Sequence, residues 1–197
     1  METNPLNNLN RYDILLASHS PRRRELLQMI GIDFSIAATI DVDESYPDDM
    51  PAHDVAPFLS DKKAEAYRAV MLPDQLIITA DTVVINKGTV LGKPHSEENA
   101  HEMLRELSGH THEVVTGVTI STIKKHVTLS ACTKVEFADL TSDEIDFYVT
   151  RYRPLDKAGA YGIQEWIGAI GIKNIEGSYY NVMGLPVHRL YTELLKF

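Results

Sequence analysis

Apolar positions along the chain fall into short runs of strand length and longer stripes of helical spacing, divided by capping and turn residues. Tyr12 to Ala17 (YDILLA) predicts a strand. Ser20 followed by Pro21 marks a helix start, with serine as N-cap and proline at the first helical position. That helix carries Leu26, Leu27 and Ile30 on its buried side, and Gly31 ends it. Phe34 to Thr39 predicts a second strand, and an acidic, proline-containing loop follows from Asp41 to Pro51. A long helical pattern runs from Asp54, its cap, to Val70. Leu76 to Ile85 (LIITADTVVI) is the most apolar strand candidate, interrupted midway by Asp81.

The NKG at 86–88 is a turn, from which a short return strand leads into LGKP. Ser96 to Leu107 reads as a capped amphipathic helix closed by Gly109. Val114 to Thr122 and Val127 to Phe137 alternate on either side of IKKH and predict a long hairpin. Thr141, with Glu144 three positions later, is a capping box that opens a helix reaching Thr150. Residues 157–185 are Gly-rich and read as irregular; Pro186 starts a terminal helix. The first ten residues, polar and Asn-rich, read as a loose tail. The order β-α-β-α-β-β-α-β-β-α-loop-α predicts a mixed α/β protein, and the hairpin argues against an all-parallel, doubly wound sheet.

Composition narrows the class. A chain of 197 residues, 44% hydrophobic and 24% charged, can bury a full core as one domain over 1–197, or as two lobes sharing a cleft. One cysteine, Cys132, excludes an internal disulfide framework and a CxxC site. No apolar run approaches the roughly 18 residues of a membrane span, and the N-terminal stretch has no apolar signal core. A cytoplasmic, reducing setting with no membrane partner is therefore expected. The net charge of -9 opposes a nucleic acid polymer, yet a local cluster of cations can still hold a small anion.

Arg22, Arg23 and Arg24 make such a cluster in a first helical turn, where each cation costs about 0.3–1 kcal/mol against the helix dipole. They read either as a solvated face paired with the acidic excess or as part of a phosphate site. The hydroxyls of Ser18 and Ser20 and the strand-turn-helix setting favour the second. No Walker A loop is present. Asp81 is costly inside an apolar strand unless paired. It either makes a turn bond, if the strand ends near Thr82, or serves as a metal ligand or general base at the end of a strand. Glu44 could complete a Mg²⁺ site with it. Lys62 and Lys63 read as a solvent-facing helical pair, whereas Lys93 and Lys157 sit in Gly-containing loops that suit a ligand-facing lysine. His110 and His112 do not make a zinc site, Cys132 reads as a small core residue, and no GxSxG nucleophile elbow occurs.

The stretches ASHSPRRRELL, KKAEA, ADTVV, LGKP, SGHTHEVVTGV, TKVEF, DKAGAYGIQ and NVMGLP, in this order from Ile14 to Pro186, resemble the Maf (septum formation) proteins. These are nucleoside triphosphate pyrophosphatases. The resemblance implies a long mixed sheet flanked by helices, with two lobes around a deep cleft, as in the related inosine-triphosphate pyrophosphatases. It implies Asp81 as proton acceptor and metal-associated carboxylate. Ser18, Arg23, Glu44, Lys63 and Lys93 match positions lining the phosphate and metal side, with Mg²⁺ or Mn²⁺ as cofactor. Arg22, Thr82 and Gln164 match positions tied to substrate choice and look like the dTTP/UTP subfamily, with modified pyrimidine nucleotides as further substrates. His19 departs from a glycine common in that turn, and Arg24 falls at a variable position. A non-catalytic, pyrimidine-nucleotide-binding regulatory module is the alternative. A homodimer is compatible with the resemblance, and the sequence leaves the oligomeric state open.

Overall fold

A computed structural model describes residues 5–197. Among the described residues seven strands form one mixed sheet: β1 (Asp13–Leu16), β2 (Ser35–Ile36), β3 (Gln75–Asn86), β4 (Thr89–Leu91), β5 (Thr111–Ser121), β6 (His126–Phe137) and β7 (Ile172–Glu176). Their order is β2-β1-β3-β5-β6-β7, with β4 paired to β3 off this path. β1 runs parallel to both β2 and β3, while β3–β4 and β6–β7 are antiparallel. The helices are α1 (Pro21–Met29), α2 (Ala52–Arg68), α3 (Glu97–Leu107), α4 (Ser142–Tyr152), α5 (Trp166–Gly171), α6 (Tyr179–Met183) and α7 (Val187–Leu194). Among the described residues no helix is long and apolar enough to cross a membrane.

The chain divides into two compact units, and one boundary falls inside β3 between Asp81 and Thr82. The first unit comprises the chain up to Asp81 with Thr116–Ala131 and Gly184–Phe197. Its core takes Leu16 from β1, Leu26 and Leu27 from α1, Val55, Ala56 and Leu59 from α2, and Leu76, Ile77 and Ile78 from β3. The Ser20 hydroxyl accepts from the Arg23 amide, as a serine N-cap should, and proline opens α1. Ile30 is only half-buried, and β2 shrinks to two residues of the six expected. α2 starts after Pro51, with Asp54 in its first turn rather than at the cap. The loose-tail reading of residues 1–10 does not hold for residues 6–10, and its first four residues lie outside the described ones. Asn7–Arg11 form a 3₁₀ turn, Leu6 and Leu9 are buried, and Asn8 Nδ2 donates to Leu194 O at 2.8 Å. Leucines three apart share one side of a 3₁₀ turn, so two apolar residues in a polar stretch suffice to dock it.

The second unit comprises Thr82–Val115 and Cys132–Met183. Its core joins Leu104 and Leu107 of α3, Val114 of β5, Phe137 of β6, and Ile145, Tyr148 and Val149 of α4. Thr141 and Glu144 make the expected capping box. The segment from 157 is not irregular: α5, β7 and α6 lie within it. Elements of five or six residues show no period in the sequence, and the intervening glycines hide them.

Candidate functional site

β1 ends at Leu16, which pairs with Ile78, and the Ala17 amide closes that ladder on Ile78 O at 2.9 Å. β3 continues to Asn86, so Asp81 lies within a strand and not at its end. It sits three residues beyond the point where β1 turns away, which is why a charged residue is tolerated there. Thr79 and Asp81 share a face of β3 by the period of two, and α2 covers that face. Thr79 Oγ1 donates to Ser60 O at 2.6 Å, and one turn further along α2 Lys63 Nζ donates to Asp81 Oδ1 at 2.7 Å. The lysine also lies 3.0 Å from Glu44 Oε1, so one ammonium holds two carboxylates. Lys63 and Asp81 keep only 16% and 14% of their side-chain exposure, whereas Glu44 keeps 57%. The solvent-facing reading therefore fails for Lys63 and holds better for Lys62, whose Nζ meets Asp43 Oδ2 and Ser45 O, each at 3.0 Å.

Helix α1 brings Arg23 to the same neighbourhood. Its Nε donates to Gly184 O at 2.9 Å and its Nη1 to Ser18 Oγ at 3.3 Å, while Ser18 Oγ also accepts from the Ser20 amide. Burial pulls the Arg23 pKa down; Asp81 pushes it back up, Arg22 lowers it further, and Glu44 raises it. A guanidinium stays charged through such a shift. Both carboxylates thus act electrostatically on Arg23. Ser18, Arg23, Glu44, Lys63 and Asp81 form one polar cluster in the first unit. Arg22 is half-buried beside it, and Arg24 is exposed. His19 Nε2 pairs with Thr39 Oγ1 at 2.8 Å, a bond that glycine could not make.

The donor set fits a hard divalent cation. Glu44 and Asp81 offer oxygen ligands only, and Lys63 already sets a positive charge against both of them.

The other expected positions lie in the second unit. Thr82 is half-buried in β3, Lys93 is exposed just after β4, and Gln164 is exposed between the buried Ile163 and the half-buried Glu165. Gly159 N donates to Gly92 O at 3.0 Å, tying LGKP to DKAGAYGIQ. Lys157 is not available to a ligand: it is buried and bonds Asp156 Oδ1 at 2.7 Å and Glu165 Oε1 at 3.1 Å. Sequence reasoning missed Glu165 and Tyr148, whose hydroxyl donates to Glu165 Oε2. An acidic residue directly after GIQ, eight positions from Lys157, was the available signal.

The remaining candidates lie apart from one another in their surroundings. His110 precedes β5 and bonds Ser108 O through Nδ1, so it does not share a strand face with His112. His112 is buried between Phe137 and Tyr161, with Nε2 on the Tyr161 hydroxyl at 2.8 Å. Burial pushes its pKa down to about 4. Cys132 is exposed on β6, not in the core. Its thiol pKa is raised by desolvation and by Glu113, which disfavours the thiolate.

The sequence profile of the Maf-like protein family matches residues 13–197. A dTTP/UTP pyrophosphatase of Phocaeicola vulgatus is 54% identical over 191 residues, covering 97% of this chain and 99% of that protein. One from Porphyromonas gingivalis is 55% identical over 194 residues, covering 98% of each. One from Bacteroides thetaiotaomicron is 52% identical over 97% of this chain and 99% of its own length. Among solved structures, the Staphylococcus aureus Ham1 protein overlaps 64% of this chain and 72% of its own at 18% identity and a TM-score of 0.44, too distant a superposition to bear on the site.

Proposed function

The chain belongs to the Maf-like protein family, and on that premise we propose that it is a nucleoside triphosphate pyrophosphatase acting on dTTP and UTP. The reaction is hydrolysis between the α and β phosphates, releasing the monophosphate and pyrophosphate. The observation that carries this reading is Lys63 held between Asp81 and Glu44, with Arg23 in electrostatic reach of both carboxylates. A pure nucleotide binder needs the cations but has no need of a carboxylate such as Asp81 placed among them.

Asp81 orients the attacking water and takes its proton. Arg23, Lys63 and Lys93 offset the negative charge that develops on the phosphoryl oxygens and on the leaving pyrophosphate. A divalent cation, Mg²⁺ or Mn²⁺, held by Glu44 and Asp81, would supply Lewis-acid polarisation of those oxygens. Gln164 both donates and accepts hydrogen bonds, which matches the imide edge of uracil or thymine, and Arg22 and Thr82 join it in base choice. A substrate drawn from the nucleotide pool suits a cytoplasmic enzyme.

The test is pyrophosphate release from dTTP, UTP, CTP and 7-methyl-GTP with Mg²⁺, by wild type and Asp81→Asn. Wild type should favour dTTP and UTP, and Asp81→Asn should lose turnover while still binding nucleotide in a calorimeter. Near-wild-type turnover in the variant would sink the assignment of Asp81. Binding without release from any of the four would make the protein a nucleotide-responsive module instead.

A further inference from the structure

We propose that Tyr148 is a positioning residue for base selection: its hydroxyl locks the segment that carries Gln164. The proposal rests on the role of Gln164 given above.

Tyr148 projects from α4 into the core and is fully buried. Its hydroxyl donates to Glu165 Oε2 and accepts from the Gly162 amide at 3.0 Å. The other oxygen of Glu165 takes Lys157 Nζ at 3.1 Å, and Lys157 also holds Asp156. The stretch from Asp156 to Glu165 is therefore closed on itself through one carboxylate, with one phenol bridging its middle and its end. Gln164 is the exposed side chain immediately before that anchor.

The backbone inside the closure has little freedom. Gly159 and Ala160 both take left-handed conformations, with φ of 66° and 60°. A Cβ at Gly159 would stand 2.8 Å from Val84 Cγ2, and one at Gly162 would stand 2.9 Å from Glu165 Cδ and 3.1 Å from Lys157 Cε. Gly162 is thus the cradle into which the Lys157–Glu165 pair is pressed. Further backbone bonds, from Ala160 to Lys157 O and from Glu165 to Gly162 O, tighten the same turn. Desolvation first, then Glu165, raises the phenol pKa, so Tyr148 remains a neutral donor at any working pH. The ring has its own support, stacking on Tyr152 at 5.1 Å between centroids. Removing the hydroxyl therefore cuts the polar link without emptying the core.

A side chain that must meet two adjacent groups on a base edge needs its Cα fixed to a fraction of an ångström. Burial of Tyr161 and Ile163 holds the middle of the segment, and the buried phenol with the half-buried carboxylate fixes the end that carries the exposed Gln164.

The experiment compares Tyr148→Phe, Gln164→Ala and the double variant, reading kcat/KM for dTTP against CTP together with hydrogen exchange at the Gly162 amide. Losing one well-placed hydrogen bond should lower the dTTP:CTP ratio about tenfold in Tyr148→Phe, mainly through KM. The double variant should fall no further than Gln164→Ala alone, and the Gly162 amide should exchange faster. A lower melting temperature with an unchanged ratio in Tyr148→Phe, while Gln164→Ala does change it, would show the hydroxyl to be structural only and overturn the proposal. An unchanged ratio in Gln164→Ala would overturn the role of Gln164 itself, and this inference with it. Should Tyr148→Phe not fold, Glu165→Gln removes the charge that holds Lys157 and carries the same expectation for the ratio.

Discussion

Gly117→Ala tests whether the packing of α2 on β5 sets the position of Lys63. Gly117 is needed for close approach, since an added Cβ would stand 2.4 Å from Pro57 Cα and N and 2.5 Å from Ala56 C, all backbone atoms. Ordinary contact begins at 3.4 Å, so α2 must withdraw by about 1 Å at this point, because backbone has no rotamer to move aside. Overpacking of this kind costs about 1–3 kcal/mol, and each hydrogen bond stretched in consequence adds about 1 kcal/mol. The bonds at risk are Thr79 Oγ1 to Ser60 O at 2.6 Å and Ser60 Oγ to Thr119 Oγ1 at 3.0 Å. With both bonds stretched, urea unfolding followed by circular dichroism should therefore show a loss of about 3–5 kcal/mol. The same shift would carry Lys63 away from Asp81, now 2.7 Å distant, and pyrophosphate release from dTTP should fall about 100-fold. A variant within about 0.5 kcal/mol of wild type, the range of a neutral surface change, would refute the steric argument. Reduced stability with wild-type turnover would refute the link between the helix position and the site.

Two further outcomes follow from the same geometry. In a cycle of Lys63→Met, Asp81→Asn and the double variant, the stabilities should be non-additive by about 1–3 kcal/mol, because each single change strands a poorly solvated partner. Additive losses would mean the pair contributes nothing as a pair. His112 links pH to stability: its folded pKa of about 4 lies below its ordinary 6.5, so the unfolded chain takes up the proton first. That contribution is complete above pH 6.5 and is lost as pH falls towards 4, by up to about 3 kcal/mol. Melting temperatures measured from pH 7 to pH 4 should fall less steeply in His112→Gln than in wild type; parallel curves would exclude His112 as the cause.

Where structure depends on residues three or four apart, the chain was legible as written. Ser20 caps α1 through the Arg23 amide, Ser96 caps α3 through the Asn99 amide, and Thr141 and Glu144 close the box at α4, all as their spacing implies. The ordered motifs from Ile14 to Pro186 likewise carried the family. Partners distant in sequence were not legible. Lys62 and Lys63 are chemically identical neighbours, and only the register of α2 over β3 decides that Lys63 meets Asp81, 18 positions away. Arg23 finds Gly184 O across 161 positions. Lys157 looked like a ligand group because its loop is Gly-rich; burial against Glu165 turns it inward. The opening residues looked loose until a surface existed to receive Leu6 and Leu9. Caps and periods are properties of one element, set by backbone geometry, whereas burial and ion pairing are properties of two elements meeting. The choice of which charge faces the site therefore arises only when the chain has folded.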